Sequence, residues 1–128
     1  MTIHDEIREA KRFALTHSAP SEADVLRSVL RVLSLHPKVA KAWRANSGSG
    51  KLQRPGGGAS QWIQFGFKGQ PDVIGYLTSG KFLAVECKAL GGTLSPEQAD
   101  FLMDAQKSGC VAFVARGVSD VLSALEAA

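Results

Sequence analysis

The sequence predicts an α/β domain with a mixed sheet flanked by helices. Three observations lead to this fold class: an amphipathic helical pattern early in the chain, two apolar runs typical of a β-hairpin, and a strand–helix–strand order near the end. The chain has 128 residues, of which 45% are hydrophobic and 21% charged, so it can bury one core of ordinary size. We expect a single domain at residues 19–128, preceded by an N-terminal extension at residues 1–18 that contains a short helix.

The first element of the domain is predicted to be a helix over residues 22–35. Ser21 is a favourable N-cap, and the carboxylate of Glu22 suits the positive end of the helix dipole. His36-Pro37 ends the pattern, because the residue before a proline avoids helical geometry. The apolar stripe of this helix consists of Val25, Leu26, Val29, Leu30 and Leu33.

Two strands and a loop are predicted between this helix and the hairpin. The strands cover residues 39–46, with Val39 and Trp43 on one side, and residues 61–67. Residues 47–60 are rich in glycine and serine and have no apolar face, so they predict a mobile loop. The aromatic residues Trp43 and Trp62 are interpreted either as core residues or as platforms on which nucleic-acid bases stack.

A β-hairpin is predicted from the apolar segments at residues 72–77 and 81–88. Thr78-Ser79-Gly80 joins them and is a common three-residue hairpin loop, with glycine at its left-handed position. This loop length pairs Leu77 with Lys81 and thereby determines the register of the whole hairpin.

Three charged residues are expected at the open end of the hairpin. The register places Asp72 opposite Glu86, with their β-carbons about 4.5–5.5 Å apart. Alternation along the second strand puts Glu86 and Lys88 on the same face of the sheet. Two carboxylates and one ammonium group should therefore lie together.

The last third of the chain predicts a helix, a strand and a final helix. Ser95-Pro96-Glu97-Gln98 combines an N-cap, a proline suited to the first helical position and a capping box, and Gly109 ends this helix. Residues 110–115 form an apolar strand, and Ser119-Asp120 caps the final helix. A strand–helix–strand unit implies a parallel pair with a right-handed crossover. The predicted order is helix, four strands, helix, strand and helix.

Composition excludes several classes of protein. No apolar run approaches the roughly 20 residues of a membrane-spanning helix, and the first residues carry acids where a signal peptide needs basic and then apolar residues. Two cysteines are too few for a disulfide framework, and the three histidines lack the spacing of a zinc site. We expect a soluble cytoplasmic protein without a membrane partner.

Positive charge is concentrated in one part of the chain. An acid-free basic segment beside paired acids favours a polyanionic partner such as nucleic acid. A solvated basic surface without a partner explains the charge alone equally well. Between Val25 and Pro71 there is no Asp or Glu, and the basic residues are Arg27, Arg31, Lys38, Lys41, Arg44, Lys51, Arg54 and Lys68.

The charged residues at the hairpin end suit a hard divalent cation. Mg²⁺ prefers oxygen ligands, leaves positions for water and a substrate phosphate, and would relieve the repulsion between Asp72 and Glu86. Each pattern alone has an ordinary explanation, since Pro-Asp opens turns and Glu-x-Lys can be an exposed charge ladder. The apolar run Phe82-Leu83-Ala84-Val85 favours the functional interpretation, because charges in a buried strand need a purpose.

At these residues the sequence resembles the PD-(D/E)xK nucleases. More narrowly, it resembles the VRR-NUC family, including small stand-alone members from phage and bacterial genomes, over most of the chain from Glu22 to Leu125. The resemblance implies a restriction-endonuclease-like αβββαβ core. The segments that carry it are Gly69-Gln70-Pro71-Asp72-Val73-Ile74-Gly75, Ala84-Val85-Glu86-Cys87-Lys88, Arg44-x-Asn46-Ser47-Gly48, Phe65-Gly66-x-Lys68-Gly69 and Ser95-x-x-Gln98.

The resemblance also implies a metal site. Its ligands would be Glu22, Asp72, Glu86 and the main-chain carbonyl of Cys87, with Mg²⁺ or Mn²⁺ as the ion. Glu22 has a local explanation as well, because it interacts favourably with the helix dipole. The thiol of Cys87 is interpreted as a small buried hydrophobe.

Further roles follow from the same resemblance. Lys88 is implied as the catalytic lysine, acting with the two hairpin acids, and Gln98 lies beside it. Arg44 and Asn46 are implied as contacts to the substrate. Gln98 also completes a capping box, so a structural role explains it equally well.

The expected function is metal-dependent hydrolysis of DNA phosphodiester bonds by an endonuclease. One chain of 128 residues offers little surface for branched DNA. The resemblance to junction resolvases and small VRR-NUC proteins implies a homodimer, with structure-selective, junction-resolvase-like activity in a bacterial or phage-infected cell. Lys51, Arg54 and Lys68 are expected to contact the DNA backbone. The alternative is a non-catalytic nucleic-acid-binding module on the same fold. A nucleotide-binding α/β fold is disfavoured, since no glycine-rich turn joins an early strand to a helix.

Overall fold

The computed structural model describes residues 2–6, 8, 19–45 and 48–128, and at 48–51, 64 and 65 only the backbone. Residues 3–6 and 8 are helical, and the rest of the predicted N-terminal helix lies outside the described residues. The boundary at residue 18 stays a prediction. The helices are α1 (Glu22–Leu35), α2 (Pro96–Lys107) and α3 (Val118–Ala127), and the strands are β1 (Val39–Arg44), β2 (Gly48–Leu52), β3 (Gln61–Phe65), β4 (Val73–Leu77), β5 (Phe82–Cys87) and β6 (Val111–Ala115).

Four of these strands form one mixed sheet in the order β1-β4-β5-β6. The first two pairings are antiparallel, and β5 and β6 are parallel. The crossover between the parallel strands contains α2, as the strand–helix–strand pattern predicted. The predicted α/β class with a mixed sheet flanked by helices is therefore confirmed.

Helices cover the two faces of the sheet unequally. One face packs against α1 and α3, and the other packs against α2, mainly over β5 and β6. Among the described residues, no helix is long and apolar enough to cross a bilayer. The larger core cluster contains Val25, Val29, Leu33, Val73, Leu77, Leu83, Val85, Cys87, Ala115, Val121 and Leu125, and the smaller contains Ala84, Leu102 and Ala112.

The prediction of a mobile loop at residues 47–60 is wrong over its first part. Gly48–Leu52 is a strand that pairs antiparallel with Gln61–Phe65 as a separate two-stranded arm. Backbone hydrogen bonds to a partner strand hold this segment, and such a ladder requires no apolar face. Five strands rather than four therefore precede α2, and the αβββαβ order runs through α1, β1, β4, β5, α2 and β6.

The predicted side of Trp43 is also wrong. The pairing of β1 with β4 shifts register between Val39 and Lys41, so an extra residue reverses the alternation after Val39. Val39 and Ala42 pack against the larger core, whereas Trp43 is exposed on the opposite face. A bulge of this kind leaves no clear mark in the pattern of apolar residues.

Helix starts are mostly as predicted. Ser21 caps α1 through the N–H of Asp24, and Ser95 and Gln98 form the capping box of α2. The predicted cap of α3 is wrong, because the helix already begins at Val118. The carboxylate of Asp120 instead accepts a 2.8 Å hydrogen bond from the N–H of Arg116, just before the helix.

Candidate active site

Asp72 is positioned by the hairpin register. β4 and β5 pair as predicted, with Val73 opposite Val85, which places Asp72 across from Glu86. The Oδ2 atom of Asp72 accepts a hydrogen bond of 2.9 Å from the backbone N–H of Cys87. This bond connects the start of β4 to the end of β5.

Glu86 is a buried carboxylate at the end of a central strand. Its exposed fraction is 1%. Its Oε1 atom accepts a hydrogen bond of 2.9 Å from the side-chain amide of Gln98 and lies 3.7 Å from Nζ of Lys88. Its Oε2 atom is buried and has no hydrogen-bond partner among the described residues. Because an unpartnered buried oxygen is costly, this atom is suited to bind a cation.

Glu22 completes a group of three carboxylates. Glu22, Asp72 and Glu86 each offer one oxygen, and these oxygens lie within 4.8 Å of one another. Val25 and Val29 anchor α1 in the core and so bring its first turn to the end of the sheet. Glu22 is exposed while Glu86 is buried, so the group opens to solvent on one side.

The electrostatics of the site favour a proton or a cation. Burial, followed by the nearby carboxylate of Asp72, raises the pKa of Glu86 to about 8, although the ammonium group of Lys88 acts in the opposite direction. Burial also raises the pKa of the Cys87 thiol to about 12, so this thiol stays protonated and is not a nucleophile.

The donor set fits a hard divalent cation. Three carboxylate oxygens converge, and one of them belongs to the buried Glu86, whose Oε2 atom has no hydrogen-bond partner among the described residues. Mg²⁺ and Mn²⁺ prefer oxygen ligands of this kind. The solvent side of the group leaves room for water and for a phosphate. The main-chain carbonyl of Cys87, the fourth expected ligand, stays a prediction.

Gln98 takes part in the capping box and also contacts the carboxylate group, while its role in catalysis stays a prediction. Its side-chain carbonyl accepts a hydrogen bond of 2.9 Å from the N–H of Ser95, which is its part of the capping box. Its side-chain NH₂ group donates to Glu86. One residue therefore starts α2 and holds the buried carboxylate.

An open pocket of about 330 Å³ lies beside the carboxylates. Arg44 lines it, and its expected contact with the substrate stays a prediction. Arg27 lines it as well and was not among the expected contacts; it also forms an ion pair with Asp24. The only sequence signal for Arg27 was its position within the acid-free segment. The pocket is lined by Glu22, Ala23, Leu26, Arg27, Arg44 and Asp72.

Two other expected DNA contacts, Arg54 and Lys68, do not line this pocket. Nζ of Lys68 is 3.1 Å from the carboxylate of Glu97 on α2, so this exposed lysine has an ionic partner. Arg54 is exposed in the segment that joins β2 to β3. Asn46 and the side chain of Lys51 lie outside the described part of the chain.

Comparison with known proteins identifies the family. A family model of the VRR-NUC domain matches residues 24–119, a range that includes Asp72, Glu86, Lys88 and Gln98 but not Glu22. No curated protein and no solved structure matches the chain significantly. The chain therefore belongs to the VRR-NUC family, and its domain is of the nuclease type.

Proposed function

We propose that this chain is a Mg²⁺- or Mn²⁺-dependent endonuclease that hydrolyses phosphodiester bonds in DNA. The observation that carries the proposal is the convergence of carboxylate oxygens from Glu22, Asp72 and Glu86 within 4.8 Å, with the lysine ammonium 3.7 Å from one of them. Three acids and a lysine at the end of a strand pair suit phosphoryl chemistry better than a structural ion pair, which needs only one acid.

The three acids would hold the ion, with the main-chain carbonyl of Cys87 as a further ligand. The chemistry that a hard divalent cation supplies in such a site is stabilisation of the negative charge that develops on the phosphate oxygens. Glu86 would be held in its ligating orientation by the amide of Gln98. Asp72 would be held by the N–H of Cys87.

Lys88 would act on the attacking water. Its side chain is only 12% exposed, and its Nζ lies next to Glu86, so its position is restricted. From there its ammonium group can orient a water molecule towards the phosphate, and after losing a proton its amine could accept one from that water. Arg44 and Arg27, on the solvent side, would contact phosphate oxygens of the same strand.

We further propose that the chain forms a homodimer and acts on branched DNA. A homodimer would place two active sites on opposite strands of a branched DNA, and this supports structure-selective, junction-resolvase-like cleavage. Both cysteines are free, which is compatible with the cytoplasm of a bacterial or phage-infected cell. Asn46, Lys51, Arg54 and Lys68 would extend the contact with the DNA backbone.

The test is cleavage of four-way, flapped, nicked and linear DNA by the purified chain with Mg²⁺, Mn²⁺ or EDTA. We expect metal-dependent cleavage that falls about 100-fold or more in Glu86→Gln and in Lys88→Ala. Glu126→Gln changes an exposed carboxylate on α3 and should retain full activity. Circular dichroism confirms that each variant is folded.

Two results would contradict the proposal. Cleavage that persists in both active-site variants would show that another site, or a contaminant, performs the reaction. Salt-sensitive DNA binding without cleavage under any divalent ion would instead favour a non-catalytic nucleic-acid-binding module. Sedimentation of the chain with and without junction DNA tests the homodimer separately.

A further inference from the structure

One half of a sheet face is not covered by any described helix. α2 packs over β5 and β6 on this face, through Leu102 against Ala84 and Ala112. Among the described parts of the chain, the half formed by β1 and β4 remains open. Its large side chains are exposed, at 42% for Trp43, 46% for Tyr76 and 39% for Phe82, the residue opposite Tyr76.

Three side chains on this open half form a pocket. Lys41, Trp43 and Tyr76 line a concavity of about 440 Å³. Lys41 lies directly across from Tyr76, and its Nζ is 5.9 Å from the centre of the Trp43 ring. We call this group the aromatic pocket. Its walls are two aromatic rings and one cation, without a carboxylate.

Core packing does not explain why these aromatic rings are exposed, because packing would bury them. Strand tryptophans and tyrosines are usually buried, and contiguous exposed aromatic surface tends to mark a binding site. The register shift in β1 between Val39 and Lys41 turns Trp43 away from the core. The backbone irregularity therefore presents the ring to solvent.

The aromatic pocket lies on the strands that carry the candidate active site. Trp43 pairs with Ile74, which is two residues from Asp72 along β4, a distance of about 7 Å at the usual rise of a strand. Tyr76 lies two residues further, at about 13 Å. By the alternation of the strand, Tyr76 and Ile74 project to the side on which Asp72 faces Glu86. A DNA strand at the carboxylates is thus within a few nucleotides of the pocket.

The chemistry of the pocket favours a nucleobase over a second protein surface. Bases stack on indole and phenol rings whatever their identity, and a lysine at the rim suits the adjacent phosphate. The segment between Val25 and Pro71, which includes β1, contains no acid. A two-fold contact between copies centred on this pocket would bring Lys41 close to its equivalent without an acid to neutralise the pair.

We infer that the aromatic pocket binds an unpaired nucleobase of the DNA substrate within a few nucleotides of the cleaved phosphate. A base in a continuous duplex is stacked and cannot enter, whereas a base in a flap, a junction or a single strand can. The pocket would therefore make the enzyme prefer DNA with unpaired bases. This inference rests on the proposed function for the identity of the substrate, but it concerns binding rather than cleavage.

The experiment measures binding in EDTA, where no cleavage occurs. Fluorescence anisotropy gives the affinity of the full-length chain for a labelled oligothymidine and for a duplex of the same length, at several salt concentrations. Trp43→Ala and Tyr76→Ala should each weaken single-strand binding about 10-fold or more and leave duplex binding nearly unchanged. Trp43→Phe keeps a ring and should retain most of the affinity. The matched control is Leu122→Ala, an exposed apolar residue on α3 across the sheet.

Three results would overturn the inference. They are unchanged single-strand affinity in both alanine variants, equal losses for single strand and duplex, and no binding of the oligothymidine by the native chain. A change in oligomeric state in Trp43→Ala, with DNA affinity retained, would show that a second copy covers the surface. Cleavage is measured separately, so a chain that binds bases without cutting DNA refutes the proposed function and not the aromatic pocket.

Discussion

Glu86 has an environment very different from that of an ordinary surface carboxylate. It is buried, its Oε2 atom has no partner among the described residues, and two further carboxylates lie close to it. Nζ of Lys88 lies 3.7 Å from the other oxygen of Glu86, Oε1. A proton and a divalent cation are therefore alternative ways to neutralise the site, so metal binding should release a proton.

Without a divalent cation, we expect the protein to lose stability as the pH rises from about 5 to about 8. The pKa of Glu86 is about 8 in the folded chain, against 4.5 for the ordinary side chain. An acid with a raised folded pKa contributes stability that is complete below the unfolded value and lost as the pH rises through the folded value. Urea midpoints in EDTA across this range measure the loss, and Glu86→Gln, which does not titrate, should show a flatter profile.

Other acidic groups affect the free energy of unfolding only outside the pH range of about 5 to 8. Backbone hydrogen bonds lower the pKa of Asp5 and Asp24 below 3.8, so their contributions are lost only as the pH falls further. The raised pKa of Cys87 matters only above 9.0, where the unfolded thiol ionises. Parallel profiles for the native chain and Glu86→Gln would therefore mean that Glu86 does not titrate as described.

The two roles of Gln98 can be separated by comparing it with Ser95. Ser95→Ala removes the cap of α2 and should cost about 1 kcal/mol of unfolding free energy. Gln98→Ala removes its part of the capping box and also the donor to Glu86, so we expect about 2 kcal/mol. It should also weaken Mg²⁺ binding in calorimetric titrations, which Ser95→Ala should not do. Equal effects of the two variants would assign Gln98 a capping role alone.

Among the elements, β1 lies close against the backbone of Gly75 in β4. A Cβ atom at Gly75 would lie 2.2 Å from the carbonyl oxygen of Lys41 and 2.8 Å from Cα of Ala42. Backbone atoms cannot move aside as side-chain ends do. The absence of a side chain at Gly75 is therefore what lets β1 pair with β4 at this point.

We expect Gly75→Ala to destabilise the fold by about 1–3 kcal/mol through this overlap. Urea denaturation measures the loss. Gly58→Ala is the matched control: a Cβ there meets only the flexible side chain of Arg54, at 3.5 Å, so stability should change little. If both variants are equally stable, the contact between β1 and β4 is more adaptable than its geometry indicates.

Elements differed in how far the sequence could predict them. The hairpin of β4 and β5 was predictable with its register, because a three-residue loop allows one pairing and Gly80 supplies the positive φ of 89° that the loop needs. The arm of β2 and β3 was not, because Gly48–Leu52 has no apolar pattern and is held by backbone pairing. The start of α3 was misplaced because Asp120 bonds to backbone that precedes the helix.

At the scale of the whole molecule, positive charge and negative charge meet around one pocket. Arg27 and Arg44 come from different elements and line the same opening as Glu22 and Asp72. The net charge of +3 is small, so this local arrangement matters more than the total. It provides a basic rim for a phosphate next to an acidic centre for a cation.

The arm of β2 and β3 should contribute to DNA binding through its basic residues. We expect Lys51→Ala with Arg54→Ala to reduce the slope of log affinity against log salt by about 2 if both contact phosphates of duplex DNA. Binding in EDTA at several salt concentrations measures the slope. Lys81→Ala with Lys107→Ala removes the same charge at the opposite end of the sheet. An equal decrease in that control would assign the effect to net charge rather than to the arm.

The local features of this protein could be predicted from its sequence alone. Caps, loop length and strand alternation act over a few residues, and they were enough to predict α1, α2, the hairpin and the meeting of Asp72 with Glu86. Three further features depend on the tertiary structure. Arg27 lines the same pocket as Glu22, Gln98 donates a hydrogen bond to Glu86, and α2 leaves Trp43 and Tyr76 uncovered. These features involve elements far apart along the chain. They depend on how the helices pack against the sheet, in which the register of β1 is shifted by one residue.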